Sequence, residues 1–278
     1  MSPKTVIVTG ANRGIGQAIC KLILQRPDLG PLRLYAASRS GAKLDLPSSN
    51  KDQQVLFPKL DITSSSSIAT FANDVKASGN QVDVLINNAG VNLDNEYGPE
   101  NAKRTLDVNY RGTLETFIPL MAEQGRIVNL SSVASSLKPY SSAMQARFRD
   151  PNNTFEDLEK IADEYLTSVK TRTEESTGFG PPQRSYSVSK GLVNAFTALL
   201  AHQNPSLLIN CCCPGWIATD MGRLVGGRSV QPPKTPEEGA RIPVRLALDD
   251  GDEVRGVSGR YWANGSIRSR DGGEVQEW

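Results

Sequence analysis

Tyr186-Ser-Val-Ser-Lys190 sets a phenol four residues ahead of an ammonium, and the serine pair Ser131-Ser132 lies upstream of it. On a helix this spacing brings the two side chains to one face, a turn apart. A free phenol titrates near ~10, too high for acid–base work at neutral pH. A neighbouring ammonium favours the phenolate and is expected to pull that value down. Read this way, the pair is a device for exchanging a proton at physiological pH. Alone the signal is weak, since Tyr-x-x-x-Lys also arises on any solvated helix face. The chain has one histidine, His202, in Ala-Leu-Leu-Ala-His-Gln-Asn-Pro at the end of an apolar helical run. A Ser-His-Asp hydrolase or a histidine–zinc site would have to use it. A helix-end surface residue is the simpler reading, so acid–base chemistry falls to tyrosine, lysine or carboxylates, and no metal site is expected.

A second motif, Thr9-Gly-Ala-Asn-Arg-Gly-Ile-Gly16, follows an apolar run at 4–8 and opens an apolar-spaced segment at 15–25. Gly10, Gly14 and Gly16 allow a tight turn and close approach of the backbone to a pyrophosphate at the positive end of a helix. The position between a strand and a helix distinguishes this run from an ordinary turn. An NAD site usually places an acid at the end of the second strand to hold the ribose 2′-hydroxyl. Here that strand ends Tyr35-Ala-Ala-Ser-Arg39, without an acid. Arg39 and Arg13 are available to a 2′-phosphate instead, which favours NADP(H) over NAD(H).

The elements that must position these groups alternate. Strands are predicted at 4–8, 32–37, 54–58, 82–86, 126–131, 207–212 and 259–262. Helices are predicted at 15–25, 66–78, 99–121 and 186–201. Such alternation argues for an α/β protein with a parallel sheet covered on both faces. Residues 136–184 are too long for an ordinary connection. Within them Phe155, Leu158, Ile161, Ala162, Tyr165, Leu166 and Val169 recur at helical spacing and predict an added amphipathic helix. Residues 221–236, rich in Gly, Arg and Pro, read as a mobile loop. It ends at Thr235-Pro-Glu-Glu238, a capping box with proline at the first helical position.

The 278 residues carry a net charge of +1, which gives no sign of nucleic acid or of an anionic membrane surface as a partner. No apolar stretch is long enough to span a bilayer, and the N-terminus runs into a strand rather than a signal peptide. Four cysteines, three of them contiguous at Cys211, Cys212 and Cys213, make no disulfide framework. Reduced, buried thiols in a cytoplasmic protein are expected.

Seven motifs in order resemble the short-chain dehydrogenase/reductase family, end to end apart from 136–184. They are the 9–16 loop, Asp61-Ile62, Asn87-Asn-Ala-Gly90, Asn109 in Val-Asn-Tyr-Arg-Gly, Ser132 in Asn-Leu-Ser-Ser, Tyr186-x-x-x-Lys190, and Pro214-Gly-Trp-Ile-Ala-Thr219. The insertion is similar to that of monomeric, NADPH-dependent carbonyl reductases. The stretches Cys212-Cys-Pro-Gly-Trp-Ile-Ala-Thr-Asp-Met221, Thr235-Pro-Glu-Glu-Gly-Ala240 and the terminal Glu-Val-Gln-Glu-Trp fit that subgroup as well. The longer 221–236 loop departs from it.

The resemblance implies a single Rossmann-type domain over 1–278, a doubly wound parallel sheet with helices on both faces, and a monomer. It implies reduction of a small-molecule carbonyl. Tyr186 would be the proton donor, and Lys190 would hold the nicotinamide ribose and lower the tyrosine pKa. Ser132 would bond the substrate oxygen, and Asn109 would anchor a relay water. It also implies cofactor contacts from Gly10, Asn12, Arg13, Gly14, Ile15, Gly16, Arg39, Asp61, Ile62, Asn88, Ala89 and Gly90. Pro214, Gly215, Ile217 and Thr219 would meet the nicotinamide end. Trp216 and Met221 follow that loop and would wall the substrate cleft, although core packing also accounts for Trp216. Two other readings stand beside a general carbonyl reductase: an enzyme dedicated to one metabolite, and a non-catalytic NADP(H) sensor.

Overall fold

Apolar runs such as Val6-Ile7-Val8 and Val84-Leu85-Ile86 are fully or almost fully buried. That burial suits central strands of a parallel sheet whose two faces are both covered. The computed structural model describes residues 3–48, 50–112, 115–225 and 230–278, the side chain of residue 115 excepted. Among these residues, the strands are β1 (Lys4–Thr9), β2 (Leu32–Ala37), β3 (Gln53–Leu56), β4 (Val82–Asn87), β5 (Met121–Leu130), β6 (Leu208–Cys212), β7 (Tyr261–Ala263) and β8 (Glu274–Val275). They form one sheet in the order β3-β2-β1-β4-β5-β6-β7-β8. Every pairing is parallel except that of β7 with β8. The α-helices are α1 (Gly14–Leu24), α2 (Ser65–Ala77), α3 (Pro99–Leu106), α4 (Ser142–Arg149), α5 (Phe155–Thr171), α6 (Ser185–Gln203), α7 (Pro236–Gly239) and α8 (Arg241–Leu248).

The chain runs outward from β1 to β2 and β3, then returns past β1 to β4. Connections therefore leave β1 and β4 in opposite directions, and a crevice opens beyond their carboxyl ends. The period-two alternation of the strands separates two cores. Ile7, Leu85, Ile127 and Ile209 meet Phe71 of α2, Leu106 of α3, Leu158 of α5 and Leu192 of α6. Val6, Val8, Val84, Ile86 and Val128 meet Ile19 and Ile23 of α1 and Ile242 and Leu246 of α8.

The single helix expected over 99–121 is instead broken into three pieces. α3 ends at Leu106, a π-helical turn follows at Asp107–Arg111, and a 3₁₀ segment runs Glu115–Leu120 with Pro119 inside it. Proline lacks the amide donor that an α-helix needs there. β5 starts at Met121 rather than 126, with a register shift between the Val82–Met121 and Val84–Arg126 pairs that takes up the extra residues. Arg111 joins this irregular stretch to the insertion, bonding Asp107 at 3.0 Å, Glu159 at 2.9 Å and Asp163 at 2.7 Å.

The expected insertion helix is α5, capped by Thr154 and Asp157 and burying Leu158, Ile161, Ala162, Tyr165 and Val169. It packs on α3 and α6. The shorter α4 and the two-residue β8 lacked a clear periodic signal. In 221–236 a 3₁₀ turn forms at Gly222–Leu224, and residues 226–229 of the expected loop lie outside the described residues. The Thr235–Glu238 capping box is present. His202 is exposed in the last turn of α6 and Cys211, Cys212 and Cys213 are buried, both as expected, and Cys20 is buried as well. No described helix is long and apolar enough to cross a membrane.

Candidate active site

The crevice at β1 and β4 is built around glycine. Gly10 and Gly14 take φ values of +63° and +55°, in the left-handed region that disfavours side chains. A Cβ at Gly16 would lie 2.3 Å from the Gly10 carbonyl oxygen and 2.4 Å from Asn88 Nδ2, so only glycine fits. Thr9 Oγ1 accepts the N–H groups of Asn88 at 3.1 Å and Ala89 at 3.0 Å. Asn88 Nδ2 in return donates to the carbonyls of Thr9 at 2.8 Å and Gly10 at 3.2 Å. These bonds tie the two strand ends into one rigid rim.

The first turn of α1 carries no acid, so its N–H groups are open to an anion. Asn12, Arg13 and Arg39 are exposed at this rim. Arg13 forms a solvent-exposed ion pair with Asp220 at 2.6 Å, across the cleft. The Asp61 carboxylate is held below its ordinary range by the hydroxyl and N–H of Thr63, and Arg39 adds to this electrostatically. Ile62 is largely buried behind it, and Ile15 is half-buried on α1. This donor set, with a glycine cradle and no acid at the end of β2, fits a dinucleotide bearing a 2′-phosphate.

α6 brings Tyr186 and Lys190 to the far side of the same crevice. Lys190 is 5% exposed and donates from Nζ to the Leu130 carbonyl at 2.7 Å. Its Nζ stands 5.6 Å from the centroid of the Tyr186 ring. Ser132, two residues beyond β5, sets its hydroxyl on the Tyr186 side of the crevice, where it favours the ionised phenol. A Cβ on Gly90 would come within 3.7 Å of Lys190 Nζ, so this glycine keeps the approach to the ammonium open.

The charge states differ from the expectation that Lys190 pulls the phenol down. Burial pushes the Tyr186 phenol up to about 12, partly countered by the Ser132 hydroxyl. Burial also pushes Lys190 down to about 8. The physical reason is desolvation: each charged form loses water, and the ammonium is aimed at a backbone carbonyl rather than at the phenol oxygen.

Asn109 sits in the π-helical turn, where such irregularity often marks a functional position. Its Oδ1 accepts from the Val91 N–H at 2.8 Å. Its Nδ2 donates to the Val91 carbonyl and to Ser189 Oγ, each at 2.9 Å. Both amide hydrogens are therefore spent on joining β4's exit to α6.

The loop after β6, from Pro214 to Thr219, is tightly braced. Gly215 has φ +95°, and a Cβ there would lie 2.9 Å from both the Ile267 carbonyl and Lys234 Nζ. The buried Lys234 donates to the Pro214 carbonyl at 3.0 Å, and its own carbonyl accepts the Ala218 N–H at 2.7 Å. Ile217 is buried, while Thr219 reaches across to Gly14, whose added Cβ would lie 3.2 Å from Thr219 Cγ2. Trp216 Nε1 donates to the Gly222 carbonyl at 2.8 Å. Trp216 and Met221 are both half-buried, and Val133 beside Ser132 is 44% exposed.

The short chain dehydrogenase family model matches residues 4–145. The chain belongs to this family. As a short-chain dehydrogenase it is 32% identical over 270 residues to carbonyl reductase (NADPH) 1 of Bos taurus, with 92% of this chain and 94% of that protein covered. It is 32% identical over 282 residues to (+)-neomenthol dehydrogenase of Arabidopsis thaliana, covering 89% and 92%. The solved structure of salutaridine reductase from Papaver somniferum superposes with a TM-score of 0.78 at 27% identity, covering 93% of this chain and 99% of that one.

Several residues that hold this short-chain dehydrogenase site together carried no motif. Asn194 accepts from Ser131 Oγ at 2.5 Å and donates to Ser135 Oγ at 2.9 Å. Ser135 Oγ donates in turn to the Ser132 carbonyl at 2.6 Å, so the turn bearing Ser132 is fastened to α6. Cys213 Sγ accepts the N–H groups of Val133 at 3.2 Å and Gly215 at 3.3 Å, linking the Ser132 turn to the Pro214 loop. Spacing did offer one signal for Asn194, which lies one helical turn beyond Lys190.

Proposed function

We propose that this protein is an NADPH-dependent reductase that converts a ketone, aldehyde or quinone carbonyl to the alcohol. The observation that carries the reading is the convergence of the Tyr186 hydroxyl, the Ser132 hydroxyl and the buried Lys190 ammonium on one side of a glycine-cradled crevice. The names of the carbonyl reductase and neomenthol dehydrogenase relatives support carbonyl–alcohol chemistry.

NADPH, when bound, supplies the hydride. The chain's own groups hold, orient and protonate. Gly10, Gly14 and Gly16 admit the pyrophosphate to the α1 N-terminus, with Asn12 and Ile15 on the same rim. Arg13 and Arg39 pair with the 2′-phosphate, and Asp61 and Ile62 flank the adenine. Asn88, Ala89 and Gly90 line the ribose side, and Lys190 holds the nicotinamide ribose. Pro214, Gly215, Ile217 and Thr219 orient the nicotinamide end. Ser132 hydrogen-bonds the carbonyl oxygen. Tyr186, protonated because burial raises its pKa, donates its proton to that oxygen as negative charge develops.

The half-buried Trp216 and Met221 and the exposed Val133, Leu224 and Val225 favour an apolar or aromatic substrate. The docking of α5 over α3 and α6 supports a monomer, since it occupies outer helix faces that would otherwise be free to associate.

The test is NADPH oxidation against quinones, aromatic ketones, aldehydes and α-dicarbonyls, with NADH in parallel. Broad turnover with NADPH is expected, together with a monomer's elution on gel filtration. Tight NADPH binding with turnover on a single carbonyl would replace the general reductase by a dedicated one. Binding with no turnover on any carbonyl would favour the sensor reading.

A further inference from the structure

Every long helix leaves its first N–H groups without partners inside the helix. α6 carries the reacting phenol in its first turn, yet its N-cap residue, Arg184, makes no capping bond. The missing acceptor comes from far away in the chain. Asp94, in the 3₁₀ turn after β4, accepts the Ser185 N–H on Oδ1 at 3.0 Å and the N–H of Tyr186 itself on Oδ2 at 3.1 Å. The backbone that carries this carboxylate is itself held, since the Asp94 N–H donates to Asn92 Oδ1 at 3.1 Å. The same turn has a second attachment through buried side chains. Ser185 Oγ lies 3.1 Å from the Tyr165 hydroxyl of α5. That hydroxyl stands 3.5 Å from the hydroxyl of Tyr97, which donates to the buried Glu174 at 2.5 Å. Residues from β4's exit and from the insertion thus converge on the peptide that bears the phenol.

We propose that Asp94 is a positioning residue for carbonyl reduction, clamping the first turn of α6 so that the Tyr186 hydroxyl stays against Ser132 and above Lys190. The inference rests on the reading of Tyr186 as the proton donor. It has an electrostatic consequence that a purely mechanical cap would lack. Burial does most to raise the proton affinity of Tyr186, and Cys213 and then the Asp94 carboxylate add to it. The other charged or titratable groups in electrostatic reach of Asp94 are Arg184, Tyr140 and Tyr165. Arg184 opposes the carboxylate, standing 5.6 Å over the Tyr140 ring. Removing the negative charge therefore moves phenolate formation at Tyr186 to lower pH. The rate of reduction, which needs the protonated phenol, then begins to fall at lower pH as well.

The experiment compares Asp94→Ala and Asp94→Asn with the parent protein. Asp94→Ala loses both acceptors, and kcat is expected to fall about 10- to 100-fold, the scale of a small misplacement of a reacting group. NADPH affinity, read by quenching of protein fluorescence, is expected to stay within about threefold, because Lys190 keeps its own anchor on Leu130. Asp94→Asn keeps an acceptor without the charge. It is expected to recover most of kcat and to move the alkaline limb of the rate profile to lower pH. Ultraviolet titration of the phenolate, parent minus Tyr186→Phe and Asp94→Asn minus its own Tyr186→Phe double variant, should show the same shift without any turnover. An unshifted titration in Asp94→Asn, or an Asp94→Ala kcat within twofold of the parent, overturns the proposal. Turnover surviving in Tyr186→Phe overturns the proton-donor reading instead, so the two failures are distinguishable.

Discussion

Replacing Asn194 by leucine removes the side chain that fastens the Ser132 turn to α6 while nearly preserving volume. Asn194 is 2% exposed. Its loss leaves Ser131 Oγ without the 2.5 Å acceptor, with the Lys190 carbonyl at 3.5 Å as a poor substitute. Ser135 Oγ loses one donor but keeps the Ser132 carbonyl as its acceptor. One buried hydroxyl thus keeps only that long contact, a second loses a donor and the Cys211 thiol loses its 3.3 Å acceptor, which together cost about 1–3 kcal/mol. In a chain of this size each kcal/mol lowers Tm by about 2–4 °C, so a drop of about 2–12 °C is expected in a calorimetric or fluorescence melt. kcat should fall further than the melt implies, because Ser132 loses its tether to the helix that carries Tyr186. Adding Ser131→Ala removes the orphaned hydroxyl and should recover part of the lost Tm while leaving kcat low, a non-additive pair. Unchanged Tm and kcat in Asn194→Leu would refute the clamp. Full additivity with Ser131→Ala would refute the pairing.

Gly16→Ala places a methyl 2.3 Å from the Gly10 carbonyl and should raise the NADPH KM or abolish binding; equilibrium titration with NADPH reads it directly. Arg39→Asp removes an exposed cation and adds an acid at the end of β2. If a charge-assisted bond to the 2′-phosphate is worth about 1.5–3 kcal/mol, the NADPH-to-NADH preference should fall by about 10-fold or more, measured as a ratio of kcat/KM values.

Much of this structure could be read in the residues because its signals are local. The glycine loop, the Tyr186–Lys190 spacing and the period of α5 each depend on residues a few positions apart, and each forms where expected. A parallel sheet covered on both faces followed from strand–helix alternation. What sequence could not supply was the partner of each polar group across the fold. Asp94 lies 92 residues from Tyr186, and Ser131 lies 63 from Asn194, so no pattern links them until β4, β5 and α6 are brought together. The direction of the Tyr186 shift failed for a related reason. A helical-wheel argument counts the neighbouring ammonium, while burial, which dominates here, is set by the whole fold. The break after α3 was hidden because apolar spacing continued through Phe117, Ile118 and Leu120 although Pro119 cannot continue the helical ladder.

The central claim is that Tyr186 donates the proton in an NADPH-dependent carbonyl reduction. A single-turnover measurement tests it most directly: parent and Tyr186→Phe are preloaded with NADPH, mixed with a carbonyl that the parent reduces, and followed at the cofactor's absorbance band. The account predicts rapid loss of NADPH absorbance in the parent, and in Tyr186→Phe bound NADPH that is not consumed on that timescale. NADPH consumption by Tyr186→Phe at the parent's rate would contradict it.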